Sequence, residues 1–219
     1  MAGKLFIISA PSGSGKSTLV NELRRLVTGL EFSVSYTTRA KRGSERDGEA
    51  YHFTTREEFE RMIAAGDFLE WAQVFGNYYG TAVSALKDAK DAGQDLLLDI
   101  DVQGAAQVMK RKPDAVSIFI LPPNPEVLAK RLRNRSQAEQ MTSETVIESR
   151  LAEAKNELEK IWDYKYALVN DVLDQAVAEM RAIVLSERGE DGGVQSVAGS
   201  CRTDAASPRL KAALETFSS

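Results

Sequence analysis

Apolar residues in this chain occur as short runs, unbroken or alternating, separated by longer stretches where they recur every three or four positions. Lys4 to Ser9, Phe32 to Ser35, Leu96 to Ile100, Val116 to Leu121 and Tyr166 to Val169 are runs of strand length. A run that is apolar on both of its period-two faces predicts a strand covered on both sides. Between the runs, Lys16 to Val27 carries Leu19, Leu23 and Leu26 at helical spacing, and Val102 to Lys110 and Val172 to Arg188 also read as helices. Thr142 to Ile161 reads as a long amphipathic helix. Asn124-Pro125-Glu126 places a capping side chain, a fixed φ and an acid at the positive end of a helix that runs to Arg135. Strands alternating with helices predict an α/β fold, a doubly wound parallel sheet of about five strands.

That alternation is interrupted between residues 35 and 81. From Thr37 to Tyr51 the chain is polar and basic, and Thr54 with Glu57 forms a capping-box pattern for a helix ending near Gly66. Phe68 to Phe75 is aromatic and strand-like, Gly76-Asn77 is a turn signal, and Ala82 to Ala92 can form a helix. This reads as a small mixed α/β domain, residues 35–81, inserted into a core formed by residues 1–34 and 82–188. After Arg188 the composition shifts to Gly, Ser, Ala and Asp, which predicts a flexible tail over 189–219. Within it, Pro208 to Phe217 fits a short amphipathic helix, and the sequence leaves open whether its Leu210, Leu214 and Phe217 pack on anything. The single cysteine, Cys201, excludes an internal disulfide and reads as a solvent-exposed bystander.

Composition narrows the function classes. An apolar share of 43% and a charged share of 27% are those of an ordinary globular protein. No run of about 18 apolar residues is present to cross a membrane, and the apolar stretch Leu5 to Ile8 is too short for a secretory signal, so a cytoplasmic location is expected. The net charge of −4 argues against a general nucleic-acid binder. Neither nucleic acid nor membrane is therefore expected as a partner, and oligomeric state is left open.

The residues that carry chemistry begin directly after the first apolar run. Ala10, Pro11, Ser12, Gly13, Ser14, Gly15, Lys16 and Ser17 have the spacing of a phosphate-binding loop, with Ala in place of the usual first glycine. A Gly/Ser loop between a strand and a helix aims backbone N–H groups at an anion, and the helix dipole adds to them. Lys16 suits the outer phosphates of ATP, and the Ser17 hydroxyl suits Mg²⁺. Asp101-Val-Gln-Gly104 fits the D-x-x-G pattern of GTPases, but no N-K-x-D segment accompanies it, which argues against a regulatory GTPase.

A second cluster lies in the interrupted region. Arg39, Lys41, Arg42 and Arg46 fall together in an otherwise acidic chain, near Ser35, Thr37 and Tyr51. Arginine forks and hydroxyls suit a second phosphate; on composition alone a solvated basic loop is the competing reading. The segments Phe32-Ser-Val-Ser-Tyr-Thr-Thr-Arg39, Phe68-Leu-Glu70-Trp-Ala, Gly76-Asn-Tyr-Tyr79-Gly-Thr81 and Leu97-Leu-Asp99-Ile-Asp101-Val-Gln-Gly104, in that order behind the phosphate loop, resemble the guanylate kinase family over about residues 4 to 188.

The resemblance implies a P-loop NTPase-type core with an inserted GMP-binding domain and a lid over residues 135–149, ATP as phosphoryl donor, and GMP as acceptor. It further implies that Arg39, Arg42, Tyr51 and Tyr79 hold the GMP phosphate while Ser35, Glu70, Thr81 and Asp101 read guanine. Arg131, Arg135 and Arg150 would reach the transferring phosphoryl group from the lid region, where Ser136 stands at the family's usual glycine. Asn170 and Asp171 resemble the segment beside the ATP base. Asp99 shares a strand face with Asp101 and is placed to assist Mg²⁺ through water. Two alternatives remain at this point: a non-catalytic protein-binding module of the same fold, and a kinase for a different monophosphate.

Overall fold

A computed structural model of the chain describes residues 3–138, 144–190 and 192–217. Five strands, β1 (Leu5–Ser9), β2 (Leu30–Phe32), β7 (Asp95–Asp99), β8 (Val116–Leu121) and β9 (Tyr166–Val169), form a parallel sheet in the order β2-β7-β1-β8-β9. The residues of β1, β7, β8 and β9 are buried on both faces, as unbroken apolar runs require: Phe6, Ile7, Ile8, Leu97, Leu98, Ile118, Phe119, Ile120 and Leu121 have no exposed surface, while the edge strand β2 is partly exposed. A second sheet, ordered β4-β3-β6-β5, is built from β3 (Tyr36–Thr37), β4 (His52–Phe53), β5 (Phe68–Val74) and β6 (Asn77–Ala82).

The helices are α1 (Lys16–Leu26), α2 (Arg56–Ala65), α3 (Val83–Asp91), α4 (Val102–Arg111), α5 (Pro125–Ala138), α6 (Glu144–Leu158), α7 (Leu173–Glu187), α8 (Val194–Ser200) and α9 (Pro208–Glu215), with a 3-10 turn over Glu159–Asp163 after α6. By contacts the chain falls into two compact units. One comprises Met1–Ile7 with Gly29–Ala115, the other Ile8–Thr28 with Val116–Ser219. Among the described residues no helix is long and apolar enough to cross a membrane.

In the first unit the small sheet closes on α2 through aromatic stacking. The Phe59 ring lies 4.3 Å from Phe68 and 5.2 Å from Tyr78, nearly parallel to both. A Cβ at Gly80 would come within 3.0 Å of the Phe59 and Phe68 rings, so the strand must be bare there. Two expectations shift by one residue. The N-cap of α2 is Thr55, whose hydroxyl accepts from the Glu58 N–H, instead of the Thr54–Glu57 pair; both acids then sit in the first turn. The β5–β6 loop is Phe75–Gly76, with φ of 48° and 80°, and Asn77 already belongs to β6. Positive φ at both central residues is what a two-residue hairpin turn demands.

In the second unit α1 buries Leu19, Val20 and Leu23. Leu26, expected on the buried stripe, is 48% exposed and lines a shallow groove with Leu173 and Val177. The larger correction is the tail. Residues 194–200 and 208–215 are helical, α8 packs along α7, and α9 packs against β9. Cys201, expected in solvent, is 4% exposed, and burial pushes its thiol up to about 11. Leu210 is buried with the small residues Ala198 and Ala213. Gly193 at φ 78° opens α8, and the Ser207 hydroxyl with Pro208 starts α9. A composition that suggested disorder in fact supplies close approach and helix starts.

Candidate functional site

The phosphate loop lies wholly in the second unit, between the end of β1 and the start of α1. Ala10 and Pro11 are buried, Ser12 and Gly13 half-buried, and Gly13 and Gly15 have φ of 87° and 86°, which side-chain-bearing residues rarely adopt. Gly15 caps α1, so Lys16 and Ser17 open the helix, where the first-turn N–H groups have no carbonyl of the helix to bond. Lys16 is half-buried and Ser17 exposed.

The loop's outer side is fixed by its carbonyls. Ser14 O accepts from Asn170 Nδ2 at 2.7 Å and from Arg131 Nη1 at 3.2 Å, and Arg131 Nη2 donates to Asn170 O at 3.1 Å. A Cβ at Gly15 would collide with the Asn170 amide. Inside the loop Pro11 O is taken as well, by the Ser14 N–H at 3.1 Å. The Ser14 hydroxyl is buried without a protein partner, an acceptor and donor free for a phosphate oxygen. Arg131 therefore braces the loop backbone; burial lowers its guanidinium pKa, opposed by the Asp171 charge. Asn170 is 5% exposed and Asp171 exposed. Arg150, on α6, is 7% exposed. The Arg135 side chain lies outside the described residues, as does much of the segment expected to be a lid.

The second cluster lies wholly in the first unit and consists of side chains. Arg39, 9% exposed, donates from Nη2 to both oxygens of Glu45, at 2.9 and 3.0 Å, and from Nη1 to Ala40 O. Its guanidinium lies 5.3 Å from the Tyr51 ring centre, and Tyr51 meets Tyr79 edge-on at 5.8 Å. Burial works against the Arg39 charge, but Glu45, with Tyr79 adding, outweighs it and raises the pKa. Burial likewise opposes the Glu45 charge, and the hydrogen bonds from Arg39 and the Arg42 N–H outweigh it and lower that pKa. Arg42 is exposed, with its backbone N–H 2.8 Å from the same carboxylate. Burial raises the Tyr51 pKa, and the Asp99 charge adds to the effect. A fork of arginine donors with two phenols nearby is chemistry that suits a phosphate monoester, and here the Arg39 fork is engaged by the Glu45 carboxylate.

Glu70 is 3% exposed and directly opposite Thr81 in the β5–β6 ladder; Thr81 Oγ1 donates to Glu70 Oε1 at 2.6 Å. A bulge between Phe68 and Glu70 sets that register. Burial pushes the Glu70 carboxyl up to about 7; Thr81 opposes the rise and the Asp101 charge assists it. Asp101 itself caps α4, accepting from Gly104 N at 2.7 Å. Ser35 is half-buried, and its carbonyl accepts from His52 N.

Four contributors were missed from sequence. Glu45 is an acid inside a basic run. Gly104, whose Cβ would land on Glu70 Oε2, was visible only as the glycine of D-x-x-G. Gln107 and Arg111 of α4 bind the β5 backbone at Trp71 O, Phe68 O and Leu69 O, holding the strand that carries Glu70; nothing local in the sequence marks them. Among the described residues no three His, Cys, Asp or Glu gather as a metal cage. The Ser17 hydroxyl, exposed in the first turn of α1, is an oxygen donor of the kind that suits Mg²⁺.

The sequence model of guanylate kinase matches residues 2–187. A guanylate kinase of Koribacter versatilis (strain Ellin345) is 51% identical over 226 residues, covering 99% of this chain and 97% of that protein. One from Alkalilimnicola ehrlichii is 48% identical over 188 residues, 86% of this chain and 91% of that one. The crystal structure of guanylate kinase from Anaplasma phagocytophilum superposes with a TM-score of 0.70 at 34% identity, covering 88% of this chain and 89% of that one. Matched along the whole span that carries the phosphate loop and the arginine–tyrosine cluster, the chain belongs to the guanylate kinase family.

Proposed function

We propose that this protein is a cytoplasmic ATP:GMP phosphotransferase, passing the γ-phosphoryl group of ATP to the phosphate of GMP to give ADP and GDP. The observation that carries the reading is that one chain holds a glycine-shaped loop of phosphate-binding spacing at residues 10–17 and, in its other unit, a buried carboxylate, Glu70, and an arginine–tyrosine cluster of Arg39, Arg42, Tyr51 and Tyr79. Guanine offers N1 and N2 protons as donors, which a carboxylate accepts, whereas adenine offers an acceptor at N1. Thr81, Ser35 and Asp101 complete the edge that Glu70 reads.

GMP phosphate is largely dianionic near neutral pH, because its second pKa is about 6, so the acceptor oxygen needs no general base. Transfer then rests on bringing the γ-phosphorus and the acceptor oxygen in line at about 3–3.5 Å and on neutralising charge. Lys16 and the loop N–H groups take the donor phosphates, Asn170 and Asp171 flank the donor base, and Arg131, Arg135 and Arg150 serve the donor side. Ser17 would hold Mg²⁺, with Asp99 assisting through water. When bound, the ion supplies charge neutralisation on the triphosphate. The retained Lys16, Ser17 and arginines favour an enzyme over a protein-binding module.

Incubation of the protein with ATP, Mg²⁺ and each of GMP, AMP, CMP and UMP tests this. ADP release is expected with GMP, with AMP slower by a factor of about 10³ or more. Equal rates for all four, or none with GMP, would refute the assignment.

A further inference from the structure

Beyond residue 187, where the family match ends, the chain returns to the donor half of the site at three places, all within the second unit. Residues 201–203 run antiparallel beside β9, an edge strand of the main sheet: Ala167 N donates to Cys201 O at 2.8 Å and Thr203 N to Lys165 O at 3.2 Å. Arg209 on α9 spans two elements. Its Nη1 donates to Glu179 of α7 at 2.6 Å, and its Nη2 to Val169 O at 2.8 Å. Val169 ends β9, and the next residue is Asn170, whose amide holds Ser14 O. Finally, Phe217 packs against the buried cluster formed by Leu128 and Leu132 of α5 and Ala154 of α6. Those two leucines back the phosphate loop so closely that a Cβ at Gly13 would stand 3.0–3.1 Å from their side chains.

We propose that this C-terminal segment positions the ATP cradle, with Arg209 and Phe217 as its positioning residues; the proposal rests on reading residues 10–17 as that cradle. The physical link is the direction of the Ser14 carbonyl. A loop that wraps phosphate must keep its N–H groups inward, and a carbonyl turned inward would repel phosphate oxygens. Ser14 O is kept outward by Asn170 and Arg131. Asn170 in turn hangs on a strand end whose preceding carbonyl is gripped by Arg209, and Arg131 stands on a helix clamped by Phe217 through Leu128 and Leu132. The segment touches the strand end and the helix that orient the loop without itself supplying a ligand to the nucleotide. A segment that merely covered the sheet edge would contribute to stability and leave donor affinity alone.

The test uses the full chain with Arg209→Ala, Phe217→Ala and, as a solvent-facing control on the same helix, Lys211→Ala. Michaelis constants for ATP and GMP are measured together with the melting temperature, and a non-hydrolysable ATP analogue is titrated directly. Arg209→Ala and Phe217→Ala should each raise the ATP constant and weaken the analogue about three- to tenfold, with the GMP constant changed less than about twofold and Lys211→Ala unchanged. Arg209→Lys should recover part of the loss. A fall in melting temperature with unaltered ATP affinity, or parallel increases in both Michaelis constants, overturns the proposal. If the wild-type chain bound ATP yet transferred nothing to GMP, the kinase assignment would fall, and the analogue titration would still judge the positioning role.

Discussion

The two clusters proposed to bind phosphate are built of different materials. In residues 10–17 the proposed contacts are those of the backbone, and the side chains that matter most are the ones missing: Gly13 and Gly15 have φ near 87°, and Ser14 O is tied to Asn170 and Arg131. In the arginine–tyrosine cluster the backbone is scaffold, and the proposed contacts are forks and phenols, with Arg39 gripping Glu45. Backbone N–H groups do not titrate and read only charge and shape. A side-chain cradle can read a base and can change with pH. That contrast predicts which perturbations should act on catalysis, which on specificity and which on proton balance.

The largest effect is expected at the one charged side chain of the backbone cradle. Lys16→Ala should lower kcat by about 10³ or more, read by coupled ADP release, because Lys16 neutralises charge on the phosphates. Glu70→Gln comes next. The amide presents an N–H as well as an oxygen to the base edge, so the GMP-over-AMP ratio of kcat/KM should fall by about 10². Gly104→Ala sharpens the same point. Alanine is favoured over glycine in a helix by about 1 kcal/mol, so the fold should tolerate it. The new Cβ, however, would displace the Glu70 carboxylate, and GMP binding measured by calorimetry should weaken about thirtyfold while ATP binding is unaffected.

The smallest effect is the most diagnostic of the contrast. Glu70 is raised from an ordinary 4.5 to about 7 in the free protein, and guanine needs the carboxylate. GMP affinity should therefore rise about tenfold between pH 6 and pH 8 beyond what GMP ionisation itself supplies, and Glu70→Gln should remove that excess. The linkage to stability has the opposite sense. A raised folded-state value means the neutral carboxyl's contribution to stability is complete below about 4.5 and is lost as pH rises through about 7. Thermal melts of wild type and Glu70→Gln should differ along that window, and GMP should stabilise the wild type more above it than below.

The same contrast explains what could be read from the sequence. The backbone cradle is local: eight consecutive residues between an apolar run and a helix carry it, and their spacing alone pointed to phosphate. The side-chain cradle gathers residues from Ser35 to Asp101, and no periodicity links Arg39 to Tyr79 or Glu70 to Gly104. Only the family resemblance assembled it, and Glu45 escaped even so, because an acid among arginines reads as a surface ion pair. The bulge that sets Glu70 opposite Thr81 leaves no compositional trace. Core strands were legible because burial on both faces demands unbroken apolar runs. The tail was misread for the converse reason: Ala198, Cys201 and Ala213 are buried by close packing on α7 and β9, and small residues carry little hydropathy signal.

The separation of labour between the two cradles is tested most directly by titrating each site in the variant that damages the other. Lys16→Ala should bind GMP within about twofold of wild type, and Glu70→Gln should bind a non-hydrolysable ATP analogue within about twofold of wild type, while phosphoryl transfer is crippled in the first and base selectivity in the second. Loss of GMP binding in Lys16→Ala, or of analogue binding in Glu70→Gln, by tenfold or more would contradict the account.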